Sequence, residues 1–326
     1  MAITVEDFPA LTDKLDSIFN EVASRAVERN TGFEIFDVFD VNQRKYDHLV
    51  LHGVSGVRKV TPGEDLPKIS SAQGDTISWT QEYFGGIVDV TKEMRKFDMY
   101  GEIEGIVRSI TQDAFDKVDQ SLADRLLGGF SSTYVDPYGV TRSANGPDGE
   151  TLFSDSHTNP ITDATYSNLC VEGTTDNAKL SRQAIIDTRL EASTHTDPNG
   201  IMRPINLDTL LIPPHLEDMA ERIVKSQYLP GSNDNDVNPL YGKVNIVVWP
   251  RLAQNSEGTD TSDNWFLIDS SGVKESLKCL FAERPGLDAP NQVYSNKNWE
   301  YSLDFFYAVG NGYPAYIFGS DASESA

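Results

Sequence analysis

The stretch YGEIEGIVRSITQDAFDKVDQSLADRLL, residues 100 to 127, governs how the rest of the chain is read. Ile103, Val107, Ile110, Ala114, Val118, Leu122 and Leu126 recur at steps of three or four, which predicts one apolar face of an α-helix. Gly128-Gly129 supplies the stop. A helix over 100–127 spans roughly 42 Å at the usual rise per residue. It lacks the sustained charged flanks of a coiled coil, so it reads as a beam on which other layers pack.

Upstream, Leu11, Leu15, Ile18, Val22 and Ala26 predict a first helix over about residues 10–29, ended by Asn30-Thr31-Gly32. It is either an ordinary core helix or an arm that finds its partner on another chain. Residues 33–95 read as extended chain. Phe33–Val41 and His48–Val60 are rich in Val, Phe and Leu, and Thr61–Asp75 is polar and full of turn formers. Ile77, Trp79, Gln81 and Tyr83 alternate with polar neighbours. Folding Val54–Val90 double predicts a long hairpin, with legs of about 55–60 Å. An isolated two-stranded hairpin is marginal in water, so this one must join a larger sheet or lie on a neighbouring molecule.

Downstream, 129–178 is loop-rich, with turn tetrads at Asp136-Pro-Tyr-Gly139 and Gly146-Pro-Asp-Gly149, and a further one at Asp197-Pro-Asn-Gly200. Ser181 is the expected N-cap of a second helix, with Leu180 and Ile185 at staple spacing. Leu207–Ile212 reads as a buried strand stopped by Pro213-Pro214. A helix with Leu216, Met219, Ala220 and Ile223 on its apolar face follows. Val244–Trp249, Trp265–Ile268, Leu277–Ala282 and the alternating Tyr301, Leu303, Phe305, Tyr307, Val309 predict strands. No internal repeat is expected. The order makes an α+β chain rather than a regular βαβ series.

At 326 residues the chain holds about two globular units and can bury a core without a disulfide or metal staple. Its 27 basic and 50 acidic residues give a formal charge of −23. Such a surface repels phosphate, which argues against coating nucleic acid or docking on an anionic membrane. No run of 18 apolar residues is present, and the N-terminus lacks the order of a secretion signal. Cys170 and Cys279 are too few and too far apart for a disulfide framework. They read as two reduced thiols in a cytosolic product.

Chemistry is sparse. The phosphate-loop, dinucleotide and zinc-protease motifs are missing, and Gly53-Val-Ser-Gly-Val57 is a poor nucleophile elbow. His48 and His52 sit four apart on a strand, roughly 13 Å, too far for one ion. Asp234, Asp236 and Asn238 open like a calcium loop, but Pro239 and Asn245 stand where Gly and Glu are required. Ser154-Asp-Ser-His157 holds nucleophile, acid and base types too close in sequence to converge as a triad. Trp79, Trp249, Trp265 and Trp299 read as core. The expectation is therefore no catalytic residue, no cofactor-binding residue and no metal ligand.

The run Asp148-Gly-Glu-Thr-Leu-Phe-Ser-Asp-Ser-His157, followed by Asn168, resembles the "DG-x-x-LFS-x-x-H" loop of tailed-bacteriophage major head proteins, in particular the Mu-like head subunits. Leu210–Ala220, Val237-Asn-Pro239, Val247–Leu252, Asp263–Asp269, Glu283-Arg-Pro285 and Val90-Thr-Lys-Glu-Met94 match in order. The resemblance runs from about residue 33 to 318. It implies the Hong Kong 97 capsid fold. Residues 1–32 would be the N-terminal arm, 33–96 the extended loop lying over an adjacent subunit, and 97–177 the peripheral domain with its spine helix. Residues 178–288 would be the axial domain and 289–326 the return to the peripheral domain and the tail.

The function so implied is that of a major capsid protein, a structural protein and not an enzyme. It self-assembles into hexamers and pentamers of an icosahedral shell that encloses phage DNA without sequence-specific binding. Portal and scaffolding proteins are the expected partners, with a decoration protein as a further one and no membrane. No long charged segment precedes the first helix, so the scaffold is expected as a separate protein. The location is the virion capsid, assembled in the host cytoplasm. Lys68, near the loop tip, is read as solubilising rather than as a cross-linking residue. The alternatives are an acidic polysaccharide hydrolase and another virion part such as a tail or connector subunit.

Overall fold

The structure is a computed structural model and describes residues 8–51, 59–61, 65–66, 73–97, 100–159, 162, 164–197, 200–228, 237–293, 295 and 297–324. The chain begins with helices α1 (Phe8–Arg29) and α2 (Gly32–Ile35) and strands β1 (Asp37–Asp40), β2 (Lys45–Leu51), β3 (Gln73–Thr80) and β4 (Glu82–Val90). Helices α3 (Lys92–Lys96) and α4 (Tyr100–Leu127) follow, then short strands β5 (Thr133–Val135), β6 (Thr141–Ser143), β7 (His157–Thr158), β8 (Thr165–Tyr166), β9 (Val171–Glu172) and β10 (Thr175–Asp176). Next come α5 (Arg182–Ser193), β11 (Thr209–Ile212), α6 (Glu217–Val224), β12 (Asn245–Val248), β13 (Trp265–Ile268) and α7 (Val273–Ser276). Strands β14 (Leu277–Leu287), β15 (Asn291–Gln292), β16 (Trp299–Asn311) and β17 (Ile317–Ser320) complete the mixed α+β chain.

The chain divides into two compact units. One comprises residues 1–46, 79–122 and 279–309, the other 47–78, 123–278 and 310–326.

In the first unit, a sheet runs β1-β14-β16-β15 with β4 on β16. The β4–β16 ladder is antiparallel from Trp299↔Val90 to Tyr307↔Glu82. Tyr301, Leu303, Phe305 and Tyr307 point into the core, each at most 5% exposed, as their alternation predicts. The Tyr307 and Ser121 hydroxyls are 2.7 Å apart, which pins α4 to the sheet. The covered stripe of α4 includes Ile103, Val107, Val118 and Leu122.

Helix α1 also lies along α4 of its own chain. Leu15, Ile18, Phe19 and Ala26 are buried. Lys14 pairs with Glu104, Arg29 reaches Asp116 at 2.8 Å, and the backbone N–H of Gly32 donates to Asp119 at 3.0 Å. The apolar stripe of the first helix thus finds its cover within the subunit, and needs no neighbour to bury it.

Two expectations for residues 33–95 change. The start, Gly32–Ile35, is a helical turn, and the end, from Lys92, is the short helix α3 capped by the Thr91 hydroxyl, rather than extended chain. The hairpin legs are also not those expected. β3 pairs with β2, whereas β4 leaves at Gln81 and joins β16. The buried Gln81 side chain fixes the break by donating to the carbonyls of Val41 at 3.1 Å and Gln43 at 3.2 Å. The remainder of the expected hairpin, with His52, Lys68 and most of the polar tip, lies outside the described residues.

In the second unit, a sheet runs β12-β11-β13-β17. β11 and β12 are parallel, joined through α6, and the other pairings are antiparallel. Each of β11, β13 and β17 is buried along its whole length, which explains the apolar runs Leu210–Ile212, Trp265–Ile268 and Ile317-Phe318. Leu180, Ile185, Leu210, Ile212, Trp265 and Phe318 form the core. Ser181 caps α5 as expected, its hydroxyl accepting from Ala184 N–H at 2.9 Å. Met219 departs from expectation. It is 44% exposed, because the covered face of α6 is Leu216, Ala220 and Val224.

Two turn tetrads prove to be parts of a longer device. Asp136-Pro-Tyr-Gly-Val-Thr-Arg142 and Asp197-Pro-Asn-Gly-Ile-Met-Arg203 share the pattern D-P-x-G-[V/I]-x-R. In each, the Asp carboxylate accepts from the backbone N–H four residues on and from the Arg six residues on. The distances are 2.8 and 2.8 Å for Asp136, and 2.9 and 2.7 Å for Asp197. Gly139 and Gly200 hold φ of 78° and 75°, which a side chain would oppose. Both Asp residues are 5% exposed.

Candidate functional site

The loop that most looks like chemistry is Asp148–Asn168 in the second unit. His157 is fully buried. Its Nδ1 lies 2.6 Å from Asp148 Oδ2 and its Nε2 lies 3.3 Å from the Leu152 carbonyl, so both ring nitrogens are engaged. The Ser154 hydroxyl faces Ser156 at 3.2 Å instead of the imidazole. No nucleophile–base pair exists there. The buried Asn168 amide donates to the carbonyls of Leu152 at 2.8 Å and Pro314 at 3.3 Å, and its oxygen accepts from Ser154 N–H at 2.9 Å. Phe153 stacks on Phe130 at 4.7 Å and meets Phe266 at 5.4 Å. Gly319 on β17 leaves the space for that ring, since a Cβ there would meet it at 2.7–2.9 Å. These residues form a knot that ties the loop to the end of the chain.

The other singled-out residues do not converge. His48 sits on β2, while His52, Asp234 and Asp236 lie outside the described residues. Asn238 is buried and donates to the carbonyls of Ile223 and Ser226 at 2.6 and 2.9 Å, a structural role. Among the described residues there is no group of three or more His, Cys, Asp or Glu able to hold a metal ion. No described helix is long and apolar enough to cross a membrane. Cys170 and Cys279 are both buried, and burial pushes both thiols up from their ordinary range, against nucleophilic use. Trp79, Trp249 and Trp265 are core residues; Trp265 Nε1 donates to Ala178 O at 2.9 Å.

The surface offers more than the interior. In the first unit, Tyr83 and Ile87 on β4 are 60% and 67% exposed. The Tyr83 ring packs on Phe306 at 4.7 Å. Its hydroxyl donates to Asp304 at 3.0 Å, and that carboxylate holds the phenol above its ordinary range. Asp288 and Glu283 add to the same negative field. Phe97 is 72% exposed. In the second unit, Leu190, Met202, Tyr228, Val237 and Tyr241 are exposed.

The family described as phage capsid protein matches residues 75–318. The chain belongs to that family. The fold agrees over nearly the whole length with solved shells. It is similar to the procapsid subunit of bacteriophage JBD30, at 14% identity and a TM-score of 0.54, covering 98% of this chain and 76% of that one. It is similar to the capsid subunit of Ralstonia phage GP4, at 13% identity and a TM-score of 0.54, covering 87% and 85%. The capsid subunit of an empty GTA particle matches at 11% identity and a TM-score of 0.53, covering 91% and 90%. No curated protein matches the sequence. Within a capsid family, the Asp148–Asn168 knot serves as architecture, and the exposed apolar groups are candidate contacts between copies. The motif resemblance located the knot. Its closure by β17 carried no local signal, because Gly319 and Pro314 lie about 150 residues away in sequence.

Proposed function

We propose that this capsid protein is the major structural subunit of an icosahedral shell, self-assembling into hexamers and pentamers around packaged DNA. The family match over residues 75–318 carries the reading, and the fold likeness to phage and GTA shells supports it. In this reading α1 is the N-terminal arm, the segment of β2 and β3 the extended loop, α4 the spine helix of a peripheral domain that also takes β1, β4 and β14 into its sheet, and the chain from residue 178 to the start of β14 the axial domain. Residues 289–326 return the chain to the peripheral domain. The net charge of −23 suits a container, since a wall that repels phosphate lets its contents be packed and released. Apolar contacts such as Tyr83, Ile87 and Tyr241 are individually modest, and repetition around a closed lattice multiplies them. Scaffolding and portal proteins direct assembly in the host cytoplasm, and a decoration protein adds to the finished surface.

Electron microscopy of the purified full-length chain tests this. Closed icosahedral particles are the expected result. Monodisperse monomers, or rings and tubes under every assembly condition, overturn it.

A further inference from the structure

The β4–β16 ladder of the first unit has one covered face and one open face. Tyr301, Leu303, Phe305 and Tyr307 point inward, and α4 packs on that side, where Ser121 meets Tyr307 and a Cβ on Gly86 would stand 3.4 Å from Ile110. Strand alternation sends Tyr83, Ile87 and Phe306 to the other face. No described element covers Tyr83 or Ile87, both of which are well exposed. Between them stands Gly85, where a Cβ would crowd the Leu303 carbonyl oxygen at 3.0 Å and Asp304 Cβ at 3.1 Å. Bare backbone at that point leaves a trough roughly 13 Å long between Tyr83 and Ile87. The Phe306 ring lies beside Tyr83, at 4.7 Å. The rim is acidic. Asp89, Glu300 and Asp304 share the open face, and the Ser302 hydroxyl donates to Asp288 at 3.0 Å. Neither strand carries a basic residue.

Helix α3, in the same unit, has the opposite character. It carries Lys92, Arg95 and Lys96 against a single acid, Glu93. Both of its ends are held: the Thr91 hydroxyl accepts from Met94 N–H at 3.2 Å, and Phe97 N–H donates to the Glu93 carbonyl at 3.0 Å. The Phe97 side chain faces solvent. Lys92 and Lys96, one turn apart, are exposed and make no ion pair among the described residues. In a chain of net charge −23 this is a basic knob with an aromatic tip, and the open sheet face is an acidic socket with apolar walls. Phe97, Tyr83 and Ile87 are all exposed, so the knob does not fill the socket of its own subunit. We propose that the socket receives α3 of a second copy of the chain, with Phe97 in the trough over Gly85 and Lys92 and Lys96 facing the Asp89, Asp304 and Asp288 carboxylates. Charge selects the occupant, because the rim repels an acidic partner and a neutral one leaves it uncompensated. An aromatic ring also packs favourably against Tyr83. Knob and socket are different surfaces of one unit, so each copy offers its knob to the next. Such a head-to-tail contact is the kind that builds rings. The inference deepens the shell reading and rests on it, since the shell supplies the second copy.

Photocrosslinking of the full-length chain tests this. Phe97→p-benzoylphenylalanine keeps an aromatic ring at the tip of the knob. Particles assembled from a mixture of isotope-labelled and unlabelled chains are irradiated and mapped by mass spectrometry. The expected adduct joins position 97 of one copy to the peptide holding Tyr83 and Ile87, or to that holding Phe306, of another, with mixed-isotope pairs showing that two chains are joined. Adducts confined to other peptides, or to the same chain, overturn the proposal. Charge reversal is a second readout that needs no photoreaction. At low salt Lys96→Glu and Asp304→Lys each lower the yield of closed particles about tenfold or more, and the two together restore it to within about threefold of the unsubstituted chain. Circular dichroism checks that each variant folds. Unchanged yields in both single variants, or a folded double variant no better than either, overturn the proposal. Particles without the expected adduct remove this contact and leave the shell reading standing. An unsubstituted chain that forms no particles overturns the shell reading, and this contact with it.

Discussion

Gly319→Ala isolates the knot that holds the second unit together. Gly319 lies in β17 and needs no unusual backbone conformation, so the substitution adds one methyl group and nothing else. That methyl would stand 2.7, 2.8 and 2.9 Å from three ring atoms of Phe153. The ring has little freedom to retreat. It is 3% exposed, stacked on Phe130 and tilted against Phe266, and Gly129 already gives way to it on another side. Overpacking a rigid core site costs about 1–3 kcal/mol. In a unit of this size that lowers the melting midpoint by about 2–12 °C. Phe153→Ala alone costs about 3–5 kcal/mol through the cavity it leaves. On that background Gly319→Ala becomes nearly neutral, since the methyl enters the vacated space. The double-mutant cycle therefore shows a coupling of about 1–3 kcal/mol, read by denaturant unfolding or calorimetry of the purified chain. A neutral single substitution, or the same penalty with and without the ring, refutes the argument.

Further expectations rest on other parts of the structure. His157→Ala leaves the half-buried Asp148 carboxylate and the Leu152 carbonyl without that partner and costs about 1–3 kcal/mol, whereas Ser154→Ala shifts stability by well under half of that; comparing the two melting curves checks it. Glu191 is held at about 7, above its ordinary 4.5, so the folded state binds the extra proton between those values. Its contribution to stability is full below pH 4.5 and lost as pH rises through 7. Glu191→Gln should flatten that limb of the melting-midpoint profile, and an unchanged slope would count against the assignment. Asp197→Ala removes two hydrogen bonds of the 197–203 turn and one partner of Arg203. Amide exchange should rise across the turn while β11 stays protected.

Several elements were legible without coordinates. The 100–127 helix has the limits its spacing and its two terminal glycines require. Strand β13 falls on Trp265–Ile268, and Ser181 caps α5. The D-P-x-G-[V/I]-x-R turns were half legible. Their tetrads are plain in the sequence, but the closing arginine is meaningful only once the turn brings it to the aspartate. The Asp148–His157 loop was recognisable by resemblance, while its role as a knot was not. Ser, Asp and His in one short run have the composition of a catalytic site; their closeness in sequence already argued against a triad, and the burial of His157 between two oxygens shows what the imidazole does instead.

Local rules therefore determined the long helices, the principal strands and the turn tetrads, and that the chain carries an excess of 23 negative charges. The sequence alternation of β4 names a face but no partner, because a strand has two edges and any strand of matching register satisfies its backbone. Tertiary structure decided that β16 takes it while β3 pairs with β2. The stripe of α1 likewise specifies that it be covered, not by which chain. Tertiary structure buries Leu15, Ile18, Phe19 and Ala26 within its own subunit, where Lys14 and Arg29 pair with α4. Secondary structure follows from neighbours in sequence, whereas pairing and burial depend on which distant surfaces can meet without losing hydrogen bonds, and that is settled only when the whole chain has closed.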